Sequence, residues 1–341
     1  MMRLPEFRYC AARSIEEAAA VLAESPADTM LLAGGTDVLP NMKRRQQVPR
    51  TVVGLRGIPA LGAQHNGNGL VLGAGVTLTH IVRDPNIRAH YPGLWQAAAQ
   101  IATPHLRNMG TIGGNLCLDT RCTYYDQNYE WRKAIDFCLK KDGAVCWVAT
   151  SSPRCLAVSS TDTAPALIAL RARVRLVSAN SVREVDVTDL YQNDGIQYSV
   201  RRADEILTEI ALPPSDGWRS TYWKLRRRGS FDFPVLSVAG AVRLDPSGGV
   251  TDARIVLGAV ASRPMEAREA ASTLVGRPLS DEAIAEAAEQ AFAVAKPMDN
   301  TDFTLHWRKR VSRAFVTYAL RELRGDDMRD ERVKTARQAM G

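Results

Sequence analysis

Six cysteines occur in the 341-residue chain, and four of them crowd into one short stretch: Cys122, Cys138, Cys146 and Cys155. Their spacing is C-x15-C-x7-C-x8-C. Four thiolates can hold a structural zinc ion in a tetrahedron, but zinc sites are usually built from paired C-x2-4-C units, which this stretch lacks. Four thiolates can equally hold a [4Fe–4S] cluster, which tolerates scattered spacing when a loop wraps around it. Spacing by itself leaves zinc and iron–sulfur level. Disulfides are the weaker reading. The N-terminal "MMRLPEFRYC" has no apolar stretch followed by a small-residue cleavage site, so the cytosol is the expected compartment, where thiols stay reduced. Cys10 and Cys117 read as small buried hydrophobes.

Two glycine loops offer a second chemistry. "LLAGGTD" (Leu31, Leu32, Ala33, Gly34, Gly35, Thr36, Asp37) closes an apolar run, and "TIGGN" (Thr111, Ile112, Gly113, Gly114, Asn115) repeats a Thr beside paired glycines further on. Paired glycines let backbone N–H groups approach an anion closely, and a following helix start adds partial positive charge. Neither loop is the G-x-G-x-x-G fingerprint, and the lack of a lysine excludes a P-loop. A double glycine after a strand is often a plain tight turn. Two such loops together suit a doubled phosphate gripped from both sides, as the pyrophosphate of FAD requires, with two unrelated turns as the plainer alternative.

These residues need elements to position them. "SIEEAAAVLAES" starts with Ser14 and has Glu17 three residues on, a capping box ahead of an apolar helix face. "TMLLAGG" and "TVVGL" read as buried strands, and "VLPNMKRR" as a short helix. "GLVLGAGVTLTHIV" reads as strand, glycine turn and helix, with Thr77 or Thr79 near the helix start, and "GLWQAAAQI" as helical. "DTAPALIALRARVRLVS" reads as a helix running into a strand, and "ADEILTEIALP" as another strand. After the breaker cluster "LPPSDG", a hairpin turns at "DPSGG" and two periodic helices follow. The tail from Gly325 is highly charged and reads as frayed. The expected units are residues 1–57, 58–215 with an insertion over about 118–158, 216–325, and the tail 326–341.

Composition excludes several classes. No apolar run approaches the roughly 18 residues of a membrane span. The net charge of +7 invites nucleic acid, but the basic residues are dispersed among acids without interleaved aromatics to stack bases, and the densest clusters, Lys43–Arg45, Lys224–Arg228 and Arg308–Arg310, read as solvated helix faces or patches for an acidic protein partner. Neither a membrane nor a nucleic-acid partner is expected.

"LLAGGTD", "LRNMGTIGGNL", "DTAPALIAL" and "YWKLRRRGSFDFPVLSVA" resemble, in order and spacing, the FAD-binding medium subunits of the molybdenum hydroxylase family. That family includes xanthine dehydrogenases, aldehyde oxidoreductases and aerobic carbon monoxide dehydrogenases. The resemblance spans residues 3–320 and implies an α+β fold: a two-subdomain, PCMH-type FAD-binding α/β domain, then a C-terminal α+β domain with a three-stranded antiparallel sheet. It implies that Leu31–Asp37 and Thr111–Asn115 hold the pyrophosphate and ribityl region, and that Asp162 bonds the polyol, a role compatible with a plain N-cap. Lys224 matches a lysine near the flavin, where a cation suits the negative charge of the reduced ring; exposure to solvent is its alternative. Ile101, expected on the helix before the second loop, would pack on the cofactor.

Most of the family lacks the cysteine insertion. "NLCLDTRC", "YYDQ" and "FCLKKDG" resemble the 4-hydroxybenzoyl-CoA reductase branch, whose β subunits carry a [4Fe–4S] cluster there. The resemblance implies Cys122, Cys138, Cys146 and Cys155 as its ligands, because a flavin needs an electron-carrying neighbour and zinc carries none. Tyr124, Trp131, Phe137 and Trp147 would exclude water. It implies no catalytic residue here: the substrate chemistry lies on a large molybdenum subunit, a small subunit supplies two [2Fe–2S] clusters, and the assembly is a dimer of heterotrimers. Electrons would enter from a low-potential ferredoxin, with Arg132, Lys133, Lys140 and Lys141 as a basic steering patch. The alternatives are a FAD subunit of an aldehyde or xanthine dehydrogenase passing electrons outward to NAD or quinone, and a non-redox nucleotide-binding scaffold with structural zinc.

Overall fold

The computed structural model describes residues 3–337, built on three separate sheets. In the first, β1 (Arg8–Ala11), β2 (Thr29–Leu32) and β3 (Thr51–Gly54) run parallel in the order β1-β3-β2. Parallel strands of one sheet need crossovers, and the helix Ile15–Glu24 supplies the one from β1 to β2, burying Ala18, Ala19 and Leu22. Its start follows the sequence: the Ser14 hydroxyl accepts from the N–H of Glu17 at 3.1 Å, while the Glu17 carboxylate takes the N–H of Arg13. The chain leaves β2 directly into the first glycine loop, and the helix Val38–Lys43 begins after it.

The second sheet is antiparallel, with β4 (Gln64–Gly67), β5 (Gly69–Gly73), β6 (Arg173–Val177), β7 (Val182–Asp186) and β8 (Ile206–Leu212) in the order β4-β5-β8-β6-β7. Thr77, not Thr79, caps the helix Leu78–Arg83. The helix Thr163–Ala169 is buried at every position, as an all-apolar helix must be. It is wedged against the third sheet.

That third sheet carries β9 (Trp218–Leu225), β10 (Leu236–Leu244), β11 (Val250–Gly258) and β12 (Met265–Glu266), in the order β12-β11-β10-β9. The three expected long strands are present, and the two-residue β12 adds a fourth beside β11. Helix Leu305–Arg324 packs on the sheet, and Asp281–Val294 packs against that helix, burying Ala283, Ile284, Ala287, Ala288 and Ala291, a three-and-four spacing.

The tail departs from expectation. Arg329–Arg337 forms a helix docked on the free edge of β9, with Met328 and Thr335 buried; residues 338–341 lie outside the described residues. Arg332 holds it there. Its guanidinium lies 4.2 Å over the Trp223 ring and bonds Glu322 at 2.6 Å and the Tyr222 carbonyl at 3.4 Å. Charge counting reads such a segment as solvated because it misses an arginine that lays its stem on an aromatic ring. Among the described residues, no helix is long and apolar enough to cross a membrane.

Candidate functional site

The two glycine loops touch. A Cβ on Gly34 would lie 1.9 Å from the Met109 carbonyl oxygen, so only glycine lets the first loop press against the entry to the second. In the second loop, Thr111 caps the short helix Ile112–Leu116, its hydroxyl accepting from the Gly114 N–H at 3.1 Å, while the Gly113 N–H donates to the Ala74 carbonyl. Backbone from the two glycine loops thus meets at one place. Gly34→Ala would part the loops. FAD affinity, read by fluorescence titration, is expected to fall about tenfold or more, or about 1.4 kcal/mol; an unchanged affinity would rule the loops out as the cradle.

Asp162 sits at the N-cap of Thr163–Ala169 but does not cap it. Capping falls to Thr161, which accepts from the Ala164 N–H at 3.3 Å, and to Asn115, whose Oδ1 accepts from the Thr163 N–H and hydroxyl at 3.1 and 2.7 Å. The second glycine loop is thereby tied to this helix. The freed Asp162 carboxylate accepts from the Tyr222 hydroxyl at 2.6 Å and from Lys224 Nζ at 3.0 Å. Lys224 does not face solvent: its side chain is fully buried, and Nζ also donates to the Gln100 carbonyl at 3.1 Å, which Arg226 bonds too. Burial pushes the Asp162 carboxyl up and the Lys224 ammonium down, so each ion depends on the other.

Ile101 lies two residues beyond the helix Pro92–Ala99, half-buried, before Ala102 with its φ of +45°. The positive φ of Ala102 takes the chain out of helical geometry directly after Ile101. Tyr222 and Gln100 escaped the sequence reading. Strand alternation signals the first, since positions 222 and 224 share a face; nothing local signals a carbonyl 124 residues away from its partner.

Cys122, Cys138, Cys146 and Cys155 are all buried and line one small chamber with Tyr124, Tyr125 and Trp147. Burial pushes the Cys122 thiol up to about 12 and the Cys155 thiol up to about 11; a coordinating metal would deprotonate them. Among the described residues no three His, Cys, Asp or Glu side chains are grouped to hold a metal ion. A zinc ion draws its sulfurs to about 2.3 Å from one point, whereas a [4Fe–4S] cage takes its four thiolates around a larger body.

Part of the wall comes from far along the chain. A Cβ on Gly195 would lie 2.6 Å from Cys155 Sγ, and the Gly195 N–H donates to the Cys155 carbonyl. Lys140 is a buried post, not a surface charge: Nζ donates to Asp119 at 2.8 Å, Thr120 at 2.9 Å and the Gly195 carbonyl at 2.5 Å. Arg132 is wholly buried against the carbonyls of Arg44 and Arg45. The expected basic patch therefore shrinks to Lys133 and Lys141. Trp131 and Phe137 stand outside the chamber wall, Trp131 partly in solvent, and Tyr125 takes their place. Cys10 and Cys117 are only half-buried.

Comparison with known proteins identifies the two domains of the chain. Residues 5–215 match the FAD binding domain in molybdopterin dehydrogenase, and residues 220–323 the CO dehydrogenase flavoprotein C-terminal domain. The aldehyde oxidoreductase FAD-binding subunit PaoB of Escherichia coli is 30% identical over 86% of this chain and 92% of its own. The nicotinate dehydrogenase FAD-subunit of Eubacterium barkeri is 29% identical over 82% of this chain and 83% of its own. Among solved structures, carbon monoxide dehydrogenase from Hydrogenophaga pseudoflava superposes with a TM-score of 0.77 at 26% identity, covering 94% of this chain and 97% of that one.

Proposed function

The chain belongs to the FAD-binding medium subunits of the molybdenum hydroxylase family, and from that premise we propose that it is the electron-carrying subunit of a molybdenum dehydrogenase that passes electrons outward to NAD or a quinone. The contact between the two glycine loops carries this reading. Leu31–Asp37 and Thr111–Asn115 would hold the pyrophosphate and ribityl chain, Asp162 the polyol, and Ile101 and Lys224 the ring. Bound FAD supplies a carrier that accepts electrons singly or in pairs. What the chain contributes is position and charge. The glycines would let the two loops close on the anion, the buried helix holds Asp162 in place, and Lys224 keeps a positive charge where water is excluded. The substrate chemistry then belongs to a large molybdenum subunit, with a small [2Fe–2S] subunit between, in a dimer of heterotrimers.

The cysteine chamber favours a second reading, a 4-hydroxybenzoyl-CoA reductase drawing electrons inward from a donor such as ferredoxin. Cys122, Cys138, Cys146 and Cys155 would hold a [4Fe–4S] cluster, which supplies one-electron exchange at low potential. Its aromatic neighbours limit water, and Lys140 sets a buried positive charge beside it. An anaerobic visible spectrum of the assembled complex, with flavin and iron quantitation, tests both readings. Flavin bleached by NADH supports the outward direction. Flavin bleached only by reduced ferredoxin, with about four irons per chain, supports the inward one. A chain that binds no flavin overturns both.

A further inference from the structure

Arg121 stands between the two sites. It precedes Cys122, and its side chain is nine-tenths buried. Its terminal nitrogens bond the Asp37 carboxylate at the end of the first glycine loop, Asp126 at 3.2 Å and Asn41 at 3.4 Å. Asn41 in turn donates to the other Asp37 oxygen at 2.9 Å. The guanidinium carbon lies 4.6 Å from the ring centre of Phe233, on the loop that follows Lys224. Backbone bonds fix the same residue from the other side. Arg121 and Val158 exchange N–H and carbonyl at 2.8 and 2.7 Å, clasping the two ends of the insertion. The Asp126 N–H donates to the Cys122 carbonyl at 2.8 Å, so Arg121 and its partner Asp126 bracket Cys122.

We propose that Arg121 is a positioning residue that couples the cysteine chamber to the first glycine loop, so that order at either site is felt at the other. This rests on the reading of those loops as the FAD cradle. A planar fork with donors on several edges can hold two carboxylates in fixed relation while stacked on a ring, which an ammonium cannot do. Cys122 cannot shift without turning that fork, and the fork cannot turn without moving Asp37. Coupling of this kind is reciprocal: whatever FAD does to the chamber, a filled chamber does to FAD affinity.

The test uses the full-length chain, FAD titration, and mass-spectrometric rates of Cys122 alkylation by iodoacetamide with and without FAD. In the wild type FAD slows alkylation of Cys122 about tenfold. Arg121→Gln binds FAD about tenfold more weakly, and saturating FAD no longer slows the reaction. Arg121→Lys, which keeps the charge without the fork, stays folded and still loses the protection. A merely structural role would speed alkylation equally with and without FAD and leave their ratio unchanged. Undiminished FAD affinity in Arg121→Gln, or a protection ratio equal to wild type in both variants, overturns the proposal. A wild-type chain that takes up no iron ends the cluster reading, while this test still decides on Arg121.

Discussion

Lys224→Met is expected to cost the folded chain about 3–5 kcal/mol in urea unfolding at neutral pH, because it strands the Asp162 carboxylate in the interior. That carboxylate keeps the Tyr222 hydroxyl but loses the full charge 3.0 Å away. The loss is expected to depend on pH. Burial already holds the Asp162 carboxyl above its ordinary value, and without the ammonium the rise is larger. A carboxyl whose folded pKa exceeds its unfolded one binds more protons when folded, so stability falls as pH rises between the two values. The variant should therefore be most stable in acid and weaken towards neutrality. Asp162→Asn combined with Lys224→Met removes both charges and should regain much of the stability, while FAD affinity stays low in either case. A neutral-pH loss below about 1 kcal/mol, the size of a surface ion pair, would show that the pair is not held as described.

On the reading that the chamber holds a [4Fe–4S] cluster, Cys138→Ser strips iron from the anaerobically purified protein, from about four atoms per chain to almost none, with flavin content unchanged. Cys138 is buried in the chamber wall beside Cys122 and Cys155, and a serine hydroxyl is a poor substitute for a soft thiolate. Cys117→Ser is the control, since Cys117 lies outside that wall. Iron that survives in Cys138→Ser, or disappears equally in Cys117→Ser, would place the metal elsewhere. The experiment also separates the two functional readings, because an outward-passing dehydrogenase subunit does not require this cage.

Local signals carried much of the fold. The Ser14 cap, the apolar β2 and β3 strands, the buried Thr163–Ala169 helix and the β10–β11 hairpin follow from periodicity and turn residues within each segment. The glycine loops are legible as loops, and their repeated Thr and paired glycines already suggest a shared ligand, with two unrelated turns as the alternative until the family pattern is added. Long cations were misjudged. Lys140 and Arg132 look like surface charges because their acceptors, the Gly195 carbonyl and the carbonyls of Arg44 and Arg45, lie 55 and about 88 residues away. Asp162 reads as a ligand of the polyol that can also serve as a plain N-cap, but Thr161 and Asn115 take the cap and leave its carboxylate to Lys224. In each case a partner distant in sequence outweighed the local rule.

Gly195 bears on how movable the cysteine insertion is. The segment from Leu118 to Val158 is not a self-contained cassette, since its last cysteine rests against a glycine outside it and Asn300 reaches in to bond both Thr123 and Leu156. Transplanted alone into a relative that has a side chain at the matching position, the graft would collide with its host. An engineer moving the insertion must carry both Gly195 and Asn300 along.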